Sequence, residues 1–233
     1  MNISIILSGG IGSRMGLDIP KQYFEINGNP IIYYCTKTFV ENSNINALVI
    51  AVAEEWKDYV ESMVSHLQAD KPIFYCEPGD TRQMTIFNAL RRLQIEGCKE
   101  DDIVIIHDAA RPLLSHELIN KCIDTCYMSD CVMPVIPIKD TVYYSNDGTH
   151  INSLLNRNCL WAGQAPEAFR FGIYLNAHET MSREELLRIN GSTELAYKAG
   201  MKCQMIEGDP MNFKITTHED LSNFESIINR QNL

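Results

Sequence analysis

Five short, nearly unbroken apolar runs govern what this chain can fold into: Ile3–Leu7, Ala47–Ala53, Ile73–Glu77, Ile103–His107 and Val132–Ile136. A strand with one wet face alternates polar and apolar residues. Runs without alternation suit strands covered on both faces. Amphipathic stretches of helical period separate them, at Pro30–Val40, Trp56–Leu67, Arg82–Leu93 and Glu117–Tyr127. Repeated β-α alternation requires crossover connections, and these imply an α/β fold with a mainly parallel sheet and helices on both faces.

The alternation breaks after Pro137. Lys139–Tyr144 and His150–Leu155 read as extended segments around the turn signal Asn146-Asp147-Gly148, so a β-hairpin is expected to project from the sheet. The pattern resumes with helices near Gly172–Thr180 and Thr193–Ala199, strands near Lys202–Glu207 and Phe213–Ile215, and a last helix over Glu219–Ile228 capped by Thr217. With no repeat or linker, a single domain over residues 1–233 is expected, with the arm at about 138–160.

Composition narrows the function. Of the 233 residues 45% are hydrophobic, enough for one sizeable core. A formal net charge of −10 argues against a nucleic-acid partner, which asks for a broad basic surface. No apolar run reaches the roughly 18 residues of a membrane span. Met1–Leu7 lacks the basic region and cleavage site of a signal peptide, so a cytoplasmic protein is expected. The eight cysteines lie mostly in apolar segments without a CxxC pair. Cys122, Cys126 and Cys131 could imitate a metal cluster, but small buried hydrophobes in a reducing compartment account for them better.

An acidic chain can still hold an anion by converging a few cations. The first strand runs into Ser8-Gly9-Gly10-Ile11-Gly12-Ser13-Arg14, followed by Pro20-Lys21-Gln22. Glycines after a strand let backbone N–H groups approach phosphate oxygens, and Arg14 and Lys21 add charge to that cradle. Neither the Gly-Lys-Ser/Thr ending of a P-loop nor GxGxxG spacing is present. Asp108, in His107-Asp108-Ala109-Ala110-Arg111, ends a central strand where such sheets bind ligands. It can hold Mg²⁺ against phosphates, or simply cap the strand beside Arg111. Gly79-Asp80-Thr81-Arg82-Gln83-Met84-Thr85 offers amides, a carboxylate and a hydroxyl suited to a base edge, or an ordinary helix cap. Lys214 matters only if its segment lies beside the first loop.

Together these blocks resemble the polyol-phosphate cytidylyltransferases, which include the methylerythritol-phosphate and ribitol-5-phosphate enzymes. Asp140-Thr141, Asn156-Arg157, Leu160-Trp161, and Asn212–Thr216 with Glu219-Asp220-Leu221 add to the match, in the family's order along almost the whole chain. The resemblance implies a Rossmann-like nucleotidyltransferase fold, CTP and a polyol phosphate as substrates, Mg²⁺, and a homodimer with exchanged arms. On that reading Ser8, Gly9, Gly10, Gly12 and Ser13 hold the triphosphate, and Arg14, Lys21 and Lys214 are catalytic cations. Gly79, Asp80 and Thr85 read cytosine and ribose. Asp108 binds the metal, and Asp108, Ala109, Arg111, Thr141 and Arg157 face the acceptor, Thr141 and Arg157 from the neighbouring subunit. Methylerythritol phosphate is the expected acceptor. Ribitol 5-phosphate, another sugar-phosphate nucleotidyl transfer, and a non-catalytic nucleotide binder are the alternatives. Three places depart from the family pattern: Ala165-Pro166-Glu167 stands where Thr-Pro-Gln is usual, Gly191-Ser192-Thr193-Glu194 alters the acidic cluster expected near the acceptor, and Pro78 replaces a customary glycine.

Overall fold

The computed structural model describes residues 1–10 and 19–231. The chain runs through β1 (Asn2–Leu7), a small hairpin of β2 (Glu25–Ile26) and β3 (Asn29–Pro30), α1 (Ile31–Glu41), β4 (Ala47–Ala51), α2 (Glu54–Ser65), β5 (Ile73–Cys76), α3 (Arg82–Ile95), β6 (Ile103–Asp108), α4 (His116–Cys126) and β7 (Cys131–Pro137). It continues through arm strands β8 (Val142–Tyr144) and β9 (Ser153–Leu155), then β10 (Trp161–Gly163), β11 (Glu167–Arg170), α5 (Phe171–Thr180), α6 (Arg183–Arg188), α7 (Ser192–Lys198), β12 (Cys203–Glu207) and α8 (His218–Gln231).

The apolar runs become the sheet. β5, β4, β1 and β6 lie side by side and parallel. β11 fits antiparallel between β6 and β7, β10 extends antiparallel pairing along β7, and β12 pairs in parallel with β7. Both faces are covered, as unalternated strands require. Ile6, Leu48 and Ile105 pack with Phe39, Val60 and Leu118 of α1, α2 and α4. Ile5, Val49 and Val104 pack on the other face with Leu90, Tyr174 and Leu195 of α3, α5 and α7. A third cluster joins Ile31 to Ile215, Phe224 and Ile228, docking α8 beside α1.

Strand order reverses at β1, with β4 and β5 on one side and β6 on the other. Open α/β sheets bind ligands beyond the strand C-termini at such a point. Leu7 is level with Ala51 on one side and Asp108 on the other, so the first loop and Asp108 emerge together.

Several expectations need correction. β10 and β11 occupy a stretch without a strand signal, and α6 falls in another without a helix signal. Phe213–Ile215 forms no strand; it is an extended segment tethered by Ile215 N–H to the Ala110 carbonyl at 2.8 Å. The arm's paired strands are shorter than expected because Asp147 gathers the Thr149 and His150 amides into a wide tip. Thr217 does cap α8, accepting from Asp220 N–H at 3.1 Å while the Asp220 carboxylate accepts from Thr217 N–H. No helix among the described residues is long and apolar enough to cross a membrane.

Candidate active site

The first loop is fixed from below. Gln22, buried in the 3₁₀ turn Lys21–Tyr23, donates to the Ser8 and Gly10 carbonyls at 2.6 and 2.7 Å. Ser8 Oγ lies 2.8 Å from the Tyr23 hydroxyl. Ser8 is thus a buried strut beneath the loop and does not itself line the cavity that follows. Gly9 and Gly10 line a cavity of about 460 Å³ with Lys21, Gly79, Asp80, Thr85, Asp108 and Ala109. Ala109, expected on the acceptor side, therefore faces this first cavity. Gly9 packs so closely on Pro78 that a Cβ would collide with the proline ring. Gly12, Ser13 and Arg14 lie outside the described residues.

Opposite the loop, Thr85 Oγ1 accepts from Gly79 N–H at 3.0 Å and donates to the Thr81 carbonyl at 3.0 Å. Thr81 caps α3 by accepting from Met84 N–H at 3.3 Å. The segment is both helix cap and cavity wall. Asp80 pairs at the exposed rim with Arg183, 3.0 Å away.

Lys21 Nζ donates to the Ile215 carbonyl at 2.6 Å, which ties the first loop to the segment carrying Lys214. Lys214 does, then, lie beside that loop. Its Nζ is 2.9 Å from Asp108 Oδ2, Arg82 Nε is 3.2 Å from Asp108 Oδ1, and Arg111 Nε is 3.7 Å from Oδ2. Burial alone would raise the Asp108 pKa. Arg82 and Lys214 outweigh it and hold the carboxyl well below the usual carboxylate range. His107 is buried, and desolvation pushes its pKa down to about 4, so it is neutral near pH 7. Its Nε2 lies 2.9 Å from the Arg111 carbonyl, which suits an orienting role.

Arg82, Asp108 and Lys214 also line a second cavity, of about 590 Å³, with Arg111, Ala165 and Glu167. The Lys214 segment is tied to its wall. Gln164 Nε2 donates to the Asp209 carbonyl at 2.9 Å while Gln164 Oε1 accepts from Asp209 N–H at 3.0 Å. Asn212 Nδ2 donates to the Ala165 carbonyl at 2.6 Å, and Arg111 Nη1 to the Asn212 carbonyl at 2.7 Å. Thr141 and Arg157 are not brought to either cavity within the chain. They line an exposed recess of about 420 Å³ on the arm, where Arg157 Nη1 donates to the Lys139 carbonyl at 2.7 Å.

The sequence reading missed Arg82, Gln22 and Gln164 as site residues. Arg82 opens α3 and looks like a surface cation. Only the fold brings it to Asp108 and to Glu167, whose Oε2 is 3.2 Å from Arg82 Nη2. Gln22, beside Lys21, carried a weak signal.

A model of the family described as "IspD: 2-C-methyl-D-erythritol 4-phosphate cytidylyltransferase" matches residues 2–230. The chain belongs to the 2-C-methyl-D-erythritol 4-phosphate cytidylyltransferase family. It is 34% identical over 227 residues to the enzyme of that name from Clostridioides difficile (strain 630), covering 97% of this chain and 93% of the relative. The protein of that name from Clostridium beijerinckii is 35% identical over 218 residues, covering 94% of each. Among solved structures, the Francisella tularensis 2-C-methyl-D-erythritol 4-phosphate cytidylyltransferase superposes with a TM-score of 0.78 at 28% identity, covering 96% of this chain and 99% of that one. The Anaerococcus prevotii 4-diphosphocytidyl-2C-methyl-D-erythritol synthase matches the fold with a TM-score of 0.81 at 22% identity, covering 98% and 96%.

Mg²⁺ in such sites takes one or two carboxylates and completes its shell with phosphate oxygens and water. Asp108, open to both cavities of this family member, fits that donor set. Both its oxygens already face cations, so a metal there would have to displace Lys214 or Arg82. Among the described residues no cluster of three His, Cys, Asp or Glu side chains offers a cage without substrate.

Proposed function

We propose that this chain transfers the cytidylyl group of CTP to 2-C-methyl-D-erythritol 4-phosphate, releasing pyrophosphate and forming a CDP-polyol. One observation carries the reading: Arg82, Arg111 and Lys214 converge on Asp108 where two cavities meet at the β1–β6 switch point. The relatives' shared name supports the base and acceptor.

A phosphate oxygen of the acceptor is already a nucleophile at neutral pH, so the reaction needs no strong base. It attacks the α-phosphorus of CTP, and the bond from that phosphorus to the β-phosphate bridging oxygen breaks. The obstacle is bringing two polyanions in line. Fixed cations in a partly dry cleft lower that barrier by orientation and charge stabilisation. Gly9 and Gly10 supply backbone to the triphosphate, and Gly79, Asp80 and Thr85 face the cytidine. Lys21 and Lys214, locked together through Ile215, neutralise the α-phosphate with Arg14. Asp108 would hold Mg²⁺, which when bound would supply Lewis-acid stabilisation to phosphate oxygens.

The protein acts as a homodimer in the cytoplasm on this reading. Tyr143, Tyr144, Ile151, Leu154 and Trp161 give the arm an exposed apolar surface of the kind a partner covers. A partner's arm would bring a second Thr141 and Arg157 to the acceptor side. All eight cysteines are free thiols, in keeping with a reducing compartment.

The test is pyrophosphate release from CTP and Mg²⁺ with methylerythritol phosphate and, separately, ribitol 5-phosphate. Release with the first, its loss on chelation, and a fall in kcat of about 10²–10³-fold in Lys21→Ala are expected. Full activity in Lys21→Ala removes the phosphate-cradle assignment. Turnover of ribitol 5-phosphate alone replaces the acceptor.

A further inference from the structure

The Arg82 guanidinium spends every nitrogen inside the protein. Nε meets Asp108 Oδ1 at 3.2 Å, Nη2 meets Glu167 Oε2 at 3.2 Å, and Nη1 donates to Ser192 Oγ. Glu167 is buried, and its second oxygen is also occupied. Oε1 accepts from Thr193 N–H at 3.1 Å and from Thr193 Oγ1 at 2.7 Å. Ser192 is fully buried, and its carbonyl accepts from the Tyr174 hydroxyl at 3.2 Å. A cation in the wall between two anion-sized cavities is therefore held in place from three sides and charge-compensated from two of them.

We propose that Glu167 is a positioning and specificity-determining residue for the acceptor: it keeps Arg82 in the wall as Asp108's partner and withholds its guanidinium from the acceptor phosphate. The proposal rests on the phosphoryl-acceptor reading of the second cavity. Guanidinium groups grip phosphate in bidentate fashion whenever two N–H groups are free. Glu167 and Ser192 occupy the two Arg82 groups that could do so. Glu167 also trims the local charge, since among the described residues Arg82, Arg111 and Lys214 form their ion pairs with Asp108 and Glu167. A site that held the acceptor with all three cations would bind it more tightly in the ground state and gain nothing at the transition state.

Glu167 is suited to this because it must accept on both oxygens. Thr193 N–H and Arg82 Nη2 are both donors. A glutamine there presents one acceptor and one donor, and it must turn its amide nitrogen toward one of them. In E167Q the cavity gains one positive charge, and Arg82 Nη2 keeps at most a neutral partner in place of a carboxylate.

The experiment measures binding of inorganic phosphate by calorimetry, with saturating CTP present, in wild type and E167Q, and steady-state kinetics beside it. In E167Q phosphate should bind at least about threefold tighter, the acceptor KM should stay level or fall, and kcat should drop about tenfold or more. CTP affinity should stay within about twofold, since Glu167 does not line the first cavity. Unchanged or weaker phosphate binding overturns the proposal, as does a rise in acceptor KM at constant kcat. If E167Q does not fold, S192A removes a different partner of the same guanidinium, and the same split at smaller size is required. A wild-type protein that binds phosphate but releases no pyrophosphate defeats the function reading instead, and the phosphate titration still decides the role of Glu167.

Discussion

Replacing Gly79 by alanine tests how closely the loop before α3 rides on that helix. A Cβ at Gly79 would lie 2.5 Å from Met84 Cβ, 2.8 Å from the Met84 carbonyl carbon and 3.0 Å from Thr85 N. Ordinary contacts begin near 3.4 Å, so loop and helix must part by on the order of 1 Å. The obstructing atoms are backbone and a β-carbon, and no side-chain rotation relieves them. Parting also stretches the 3.0 Å bond from Gly79 N–H to Thr85 Oγ1. Overpacking costs about 1–3 kcal/mol and a lost hydrogen bond about 1 kcal/mol, roughly 2–4 kcal/mol together. For a chain of this length that lowers Tm by about 4–16 °C. Gly10→Ala is the internal control: it lines the same cavity, yet nothing lies within 4 Å of its Cβ. Its stability should stay within about 0.5 kcal/mol of wild type. Scanning calorimetry and CTP titration on both variants separate the effects. Gly79→Ala should lose stability and CTP affinity, and Gly10→Ala at most affinity. A Gly79→Ala protein that melts within a degree of wild type refutes the packing argument.

The buried histidines make stability pH-dependent. His107 and His178 titrate near 4 in the folded chain because burial disfavours their charged forms, against 6.5 when unfolded. Their effect is nil above about pH 6.5 and grows as pH falls toward 4, reaching roughly 2 kcal/mol of lost stability each by pH 5. Urea midpoints from pH 7.5 to 5 should fall accordingly, and His178→Gln should flatten part of the slope; an unchanged slope refutes the assignment. On the arm, Leu154→Asp should yield a monomer by sedimentation with kcat reduced at least about tenfold, because the Leu154 side chain is 65% exposed on the surface proposed to meet a partner. A dimeric, active Leu154→Asp protein removes the arm from the interface.

The parallel half of the sheet was legible because β1, β4, β5, β6 and β7 are apolar on both sides, and a continuous run has few other uses. β11 was not. It begins with Glu167, whose charge argues against a central strand until Arg82 and Thr193 are known to meet it. Phe213–Ile215 misled in the opposite way: extended, with apolar residues either side of Lys214, it buries Ile215 against Ile31 and Phe224 rather than in a ladder. Within the site, the sequence pointed to Lys21, Lys214, Asp108, Arg111, Gly9, Gly10 and Gly79, and the fold gathers them around two adjoining cavities. Arg82 was hidden because its partners lie 26 and 85 positions away, and no local pattern reports such distances. Thr141 and Arg157 sit on the arm, where a single chain has no means of carrying them to Asp108.

The amide clasp of Gln164 on Asp209 makes the segment to Lys214 a ruler of fixed length. Asp209 is pinned at one end and Ile215, bonded to the Ala110 carbonyl, at the other. One inserted residue adds up to about 3.5 Å of chain between those pins, more than the 2.9 Å that joins Lys214 Nζ to Asp108. The arm tip, exposed and closed by its own Asp147, has no such constraint. Length variation among descendants of this chain should therefore accumulate at 145–152 and be purged from 209–215, and a tag spliced into the first stretch should leave the lysine where it is.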